Sequence, residues 1–274
     1  SEVLPLKRGN AKNTKAQLEY WKSHIGDLPL AAVTPALLVQ HRDALLARPF
    51  KIGSKTKKRS GATVVRYLAA LSHLFTVAMK EWQWVYDNPV RKISKPKEGP
   101  GRIRFLSEDE RERLLAACAE SSSAFLYPIV IVALSTGMRL GEIRNLRWSD
   151  VDLERGWITL HQTKNGERRG VPLGGLALRA LATHAGKSDD RSGFVFPGGR
   201  NDRPIDPRKA WNAAIAKARI EDFRFHDLRH STASYLAMNR ASLSDIAAVL
   251  GHKTLQMVKR YAHVSDDHKA EVVR

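Results

Sequence analysis

The stretch FRFHDLRHSTASY, residues 223–235, sets His226, Arg229 and His230 within five positions at the head of what otherwise reads as an amphipathic helix. His226 and Arg229 are three residues apart and share one helix face, while Leu228, Thr232, Tyr235 and Leu236 lie toward another. One side is thus offered to a ligand and the other to a core. By itself the pair says little, because a lone helical His is more often a satisfied structural residue and an adjacent Arg a surface charge. His230 reads as structural.

Downstream, ASLSDIAAVLGHKTLQMVKRYAH (241–263) gives a helix capped by Ser242 with Asp245 at its third position, a stop at Gly251, then His252, a new cap at Thr254 and a helix carrying Tyr261. Taken alone it resembles a helix-turn-helix. Tyr261 falls on a row with Leu255 and Val258, which makes a half-buried core tyrosine the plain reading. Upstream, STGMRLGEIRNLRWSDVD (135–152) puts Arg139 just after a glycine turn and Glu142 at a helix start. Between them, GWITLHQTKNGERRGVPL (156–173) contains two strand-like runs joined by Asn165 and Gly166, the pair suited to a two-residue type I′ turn, which sets Lys164 at the tip.

Arg139, Lys164, His226, Arg229 and His252 thereby surround one tyrosine, and cations outnumber carboxylates. A phosphodiester suits this set: guanidinium forks bind non-bridging oxygens bidentately, and preorganised donors stabilise the charge that builds on a pentacovalent phosphorus. A tyrosine hydroxyl, with a pKa of about 10 in isolation, needs such neighbours to act as a nucleophile near neutrality.

The order TGMRLGE, a hairpin Lys, HDLRH, LGH and then RYAH resembles the catalytic domain of the tyrosine recombinases, the phage integrase family, over residues 105–263. The first part of the chain is similar to that family's helical core-binding domain. The resemblance implies that Tyr261 attacks the scissile phosphate, forming a 3′-phosphotyrosyl bond and releasing a 5′-hydroxyl. Arg139 and Arg229 would hold the phosphate oxygens, Lys164 would protonate the leaving oxygen, His226 would assist proton movement at the tyrosine, and His252 would hydrogen-bond the phosphate. Glu142 would orient Arg139 and His226. The partners implied are double-stranded DNA recombination sites, four protomers assembled on two sites, and DNA-bending accessory proteins. Neither a metal nor another cofactor is expected, and no ATP, since one phosphodiester is exchanged for another.

Composition agrees with an acidic partner. The 274 residues carry 46 Lys and Arg against 28 Asp and Glu, a formal charge of +18. Residues 1–99 hold 18 of the basic residues and 7 of the acidic ones, so the charge is denser in the smaller part. Two basic tracts, KIGSKTKKRSG (51–61) and RKISKPKEGPGRIR (91–104), supply candidate phosphate contacts in Lys55, Lys57, Lys58, Arg59, Arg91, Lys92, Lys95 and Lys97. No Walker A loop, GxGxxG or HExxH occurs, the lone Cys118 has no partner for a disulfide, and no apolar run approaches a membrane span. A cytoplasmic bacterial protein is expected, with no membrane.

The expected fold is mainly α with a small antiparallel β-sheet: a SAM-like helical domain over residues 1–92, a basic connector over 93–104, and an α+β catalytic domain over 105–274. In the first domain Thr34-Pro35 reads as a cap and first turn, and Val64, Leu68, Leu71, Phe75, Ala78 and Trp82 follow a helical period, with no strand signal. SEDE (107–110) reads as a capping box, a second helix ends at Thr136-Gly137, and helices resume at Asp206-Pro207. The function expected is site-specific DNA recombination, integrating or excising a mobile element, with the two basic domains closing on DNA. The alternatives are a type IB topoisomerase-like relaxing enzyme and a non-catalytic helix-turn-helix binder. A metal-dependent nuclease is disfavoured because the acidic residues are not clustered.

Overall fold

The computed structural model describes residues 11–99, 101–161, 168–187, 191–199 and 203–265, without the side chains of Ile52, Lys55, His263, Val264 and Ser265. The chain divides into two compact units, Ser1–Gly101 and Arg102–Arg274.

In the first unit, α1 (Ala11–Ile25), α2 (Pro35–Ala47) and α3 (Gly61–Lys80) enclose a core that includes Trp21, Leu38, Leu68 and Phe75. α2 starts where the sequence indicates: Thr34 accepts a hydrogen bond from the Leu37 N–H, and Pro35 follows it. α3 buries Val64, Leu68, Leu71, Phe75 and Ala78 of the expected stripe, but its last member, Trp82, lies beyond the helix and is only partly buried. By length and mean hydropathy (1.4) α3 could also span a bilayer, which corrects the reading that no segment approaches that limit. Its place is nonetheless that of a core helix, with one face packed in the first unit. Between α2 and α3 the basic tract forms a short hairpin, β1 (Phe50–Ile52) against β2 (Lys55–Lys57), with Gly53 in the left-handed region at the turn. The expectation of no strand here fails because each strand has only three residues, too few for alternation to register. Ile93 is buried in this unit's core, so the structured part runs past residue 92.

The second unit begins at Arg102, whose guanidinium donates to both carboxylate oxygens of Asp227 and to Asp222. Its elements are α4 (Glu108–Ala119), α5 (Leu126–Thr136), α6 (Leu140–Arg144), β3 (Val151–Asp152), β4 (Trp157–Leu160), β5 (Arg169–Pro172), α7 (Gly175–Gly186), α8 (Arg208–Lys217), α9 (Asp227–Met238) and α10 (Leu243–Leu250). The capping box at Ser107 and Glu110 is formed reciprocally, as is that of Ser242 and Asp245. β3, β4 and β5 make an antiparallel sheet in that order. Leu160 stands opposite Arg169, whereas an uninterrupted ladder into a two-residue Asn165-Gly166 turn would place Leu160 opposite Val171. The expected tip itself, with Lys164, lies outside the described residues.

Three further corrections concern the helices. α7 was not anticipated: it starts from Gly174 with no side-chain cap, so its start lacked a signal. α9 is not amphipathic, since Asp227, Arg229, Ser231, Thr232 and Ser234 are buried beside Leu228 and Ala233. Two of these side chains find backbone partners: Ser231 Oγ donates to the Asp227 carbonyl and accepts from the Leu106 N–H, and Thr232 Oγ1 donates to the Leu134 carbonyl, while the buried Ser234 Oγ has none among the described residues. That lets α9 pack closely on α5. Finally, the chain after α10 is not a second α-helix but two 3₁₀ turns, Leu255–Met257 and Lys259–Ser265, and Thr254 makes no side-chain cap.

Candidate active site

Two glycine stops prepare the site. Gly137 ends α5 and Gly251 ends α10, both in the left-handed region, at φ of 63° and 65°. Each also lies under a neighbour: a Cβ on Gly137 would stand 2.4 Å from Leu250 Cδ2, and one on Gly251 would stand 2.5 Å from Arg169 Nη1. The chain therefore turns sharply after each helix and delivers Arg139 and His252 just beyond.

Arg139 is the residue before α6. Its N–H and its Nη1 both donate to the Glu142 carboxylate, at 2.9 and 2.7 Å, so the three-residue spacing read from the sequence closes as a doubled contact. The other side of Glu142 is held by Arg169 on β5, at 3.3 Å. Arg169 Nη1 also donates to the Val249 carbonyl at 3.0 Å, tying the sheet to the end of α10. Arg229, only 4% exposed, donates from Nη1 to the Gly137 carbonyl and from Nη2 to the Leu250 carbonyl, each at 2.6 Å. These bonds use two of the five N–H donors that a guanidinium carries.

Burial, and then the repulsion of Arg139, pulls Arg229 down to about 10, so it remains a cation at neutral pH. His252 is pushed down to about 4 by burial and then by Arg229 and Arg139, and its Nδ1 is buried with no partner. His230 is pushed down to about 4, chiefly by burial and next by His226. The Tyr261 hydroxyl is raised by burial, a shift that Arg260 and Arg229 oppose. Among the described residues, Arg139, Arg169 and Arg229 thus lie near one another with Glu142 as the carboxylate acting on them, an arrangement that lowers its energy by taking in an anion.

Tyr261 is 2% exposed and packs with Val258, Leu250 and Ile246, so the core reading of this residue holds for its ring. Leu255, the third member of the expected row, is exposed instead. The hydroxyl is not a core group: it lies 2.5 Å from His230 Nδ1. His226 is the residue before α9 and makes no side-chain cap there, and its ring meets that of His230 edge to face at 5.4 Å. The structure therefore brings together Arg139, Glu142, His226, Arg229, His252 and Tyr261, while Lys164 lies outside the described residues.

Two residues were missed. His230 was set aside, although its spacing of four from His226 puts both rings on one helix face. Arg169 was not noticed at all, although its spacing of two from the buried Val171 puts both on one strand face, so its inward direction was readable.

Of the basic residues in the first unit, Lys57, Lys58, Arg91, Lys95 and Lys97 are exposed. Lys92 is exposed and paired with Asp87. Arg59 is not simply presented to solvent, since its guanidinium lies over the rings of Phe50 (5.0 Å) and Tyr67 (5.8 Å). The side chain of Lys55 lies outside the described set.

The chain is 37% identical to the shufflon-specific DNA recombinase of Escherichia coli over 262 residues, which covers 90% of this chain and 64% of that one. It is 30% identical to the integrase of Salmonella phage P22, covering 95% of this chain and 73% of the relative. The chain thus spans about two thirds to three quarters of the length of these relatives. In fold it is similar to the Tn1549 transposon integrase solved in complex with circular intermediate DNA, with a TM-score of 0.76 at 18% identity over 98% of this chain and 94% of that one. Residues 104–268, which hold the arginines, histidines and tyrosine just described, match the phage integrase family, and the chain belongs to that family.

Proposed function

We propose that this chain is a site-specific DNA recombinase that cuts and rejoins double-stranded DNA through Tyr261, and that its outcome is integration or excision of a mobile element in a bacterial cytoplasm. The observation that carries the reading is the Tyr261 hydroxyl set beside Arg229, within a cluster of cations that holds one carboxylate. Arg139 and Arg229 bind the non-bridging oxygens of the scissile phosphate, His252 offers its unpartnered Nδ1 side to the same group, and Lys164 protonates the departing 5′-oxygen. Glu142 keeps Arg139 aimed. Because a phosphotyrosyl ester stores the energy of the broken bond, a DNA hydroxyl reseals it without ATP. Exposed lysines at 57, 58, 95 and 97 and Arg91 contact phosphates along the duplex, which makes binding salt-dependent. Four protomers on two sites, with DNA-bending proteins, form the working assembly.

The test is an SDS-stable adduct with labelled DNA from the element's own ends, in EDTA and without ATP. Wild type forms the adduct and Tyr261→Phe binds the DNA without forming it. Adduct from Tyr261→Phe, or none from wild type on nicked substrates that prevent resealing, defeats the proposal. Recombinant product from two sites separates this reading from a relaxing enzyme, which exchanges no strands between sites. The helix-turn-helix alternative loses its basis in the 3₁₀ turns that follow α10.

A further inference from the structure

We propose that His230 is a catalytic residue, the acceptor of the Tyr261 hydroxyl proton during strand cleavage and its donor during rejoining. The inference rests on Tyr261 being the nucleophile.

The geometry is direct. Tyr261 Oη and His230 Nδ1 are 2.5 Å apart, with the two ring planes inclined at 47°. His230 is kept neutral at pH 7 by burial and by His226, and burial keeps the phenol protonated, so the proton in this bond belongs to the tyrosine and Nδ1 accepts it. The charged and titratable groups acting on His230 come from its own helix, as His226, Asp227 and Arg229, and from the segment carrying the tyrosine, as Arg260. Of these only Asp227 favours the imidazolium, and its carboxylate is already engaged by Arg102. A scissile phosphate brought in by Arg139 and Arg229 adds the negative charge that makes proton transfer to His230 favourable.

The step balances. As the bond from Tyr261 Oη to phosphorus forms, the Oη–H bond breaks and its proton passes to Nδ1. The bond from phosphorus to the 5′-oxygen breaks with its electron pair, and that oxygen takes a proton from a separate acid, Lys164. A weakly basic imidazole suffices, because an oxygen bonded to both an aryl ring and phosphorus retains no affinity for the proton. On rejoining, the 5′-hydroxyl attacks phosphorus as its proton returns to Lys164, and the imidazolium returns its own proton to the departing phenolate.

The experiment measures single-turnover adduct formation on nicked substrates by the full chain as wild type, His230→Ala, His230→Asn and Tyr261→Phe, from pH 8 down through the His230 titration near 4. The asparagine oxygen can take the place of Nδ1 in the hydrogen bond but cannot carry the proton. Both His230 variants are expected to bind DNA as wild type does and to form adduct on the order of 100-fold more slowly. Added imidazole is expected to restore His230→Ala, and the acid limb of the wild-type profile is expected to vanish in His230→Asn. A His230→Asn rate within about threefold of wild type, or an unchanged acid limb, overturns the proposal. If His230→Ala does not fold, His230→Asn decides. Adduct that is missing from wild type, or present in Tyr261→Phe, instead removes the nucleophile on which the inference rests.

Discussion

Arg169 and Glu142 form an ion pair at 3.3 Å between side chains that are only 13% and 7% exposed, and the same carboxylate aims Arg139. A buried pair of this kind contributes little net stability when intact, but removing one partner leaves the other charge stranded.

Glu142→Ala should therefore destabilise the second unit by about 3–5 kcal/mol, whereas replacing both Glu142 and Arg169 by apolar residues should recover part of that loss. Urea unfolding of the two single variants and the double variant measures it. The double variant should still fail to form adduct, because Arg139 has lost its carboxylate. Equal stability of wild type and Glu142→Ala would show that the pair is solvated rather than buried.

The two low-titrating histidines imply an acid limb in stability. His230 and His252 titrate near 4 in the folded chain and near 6.5 when unfolded, so across that window the unfolded chain binds protons that the folded chain does not. Stability is then lost as pH falls from about 6.5 towards 4, and these two groups add no further slope above or below it. The urea midpoint should fall across this range in wild type and stay flatter in a His230→Asn/His252→Asn double variant. Equal slopes in the two proteins would count against the burial described here.

Gly137→Ala tests how the first arginine is delivered. A side chain at φ of 63° costs roughly 1–2 kcal/mol before any contact is considered, and this Cβ also meets Leu250. The expected result is a loss of about 2–3 kcal/mol in urea unfolding, together with weaker binding of nicked DNA, because the carbonyl that anchors Arg229 moves. A variant as stable as wild type would mean that α5 can end in another way.

Much of this was legible where local chemistry decides structure. Thr34-Pro35, Ser107 with Glu110, and Ser242 with Asp245 mark helix starts because their side chains bond the first backbone N–H groups, and Gly137 and Gly251 mark ends because only glycine turns there without strain. What escaped depends on partners remote in sequence. α7 has no cap to announce it, and α9 looks amphipathic by residue type but is surrounded on most sides. The sequence alone could not tell that Tyr261 rides on a 3₁₀ turn, or that the imidazole at its hydroxyl belongs to His230.

Arg229 ends two helices at once, since the Gly137 and Leu250 carbonyls that it binds close α5 and α10. Those carbonyls are the negative poles of the helix dipoles. The guanidinium is thus steadied by partial charges built into the backbone, where a salt bridge would use a carboxylate. Among the described residues no carboxylate is hydrogen-bonded to this guanidinium, so an arriving anion need not displace one to reach it.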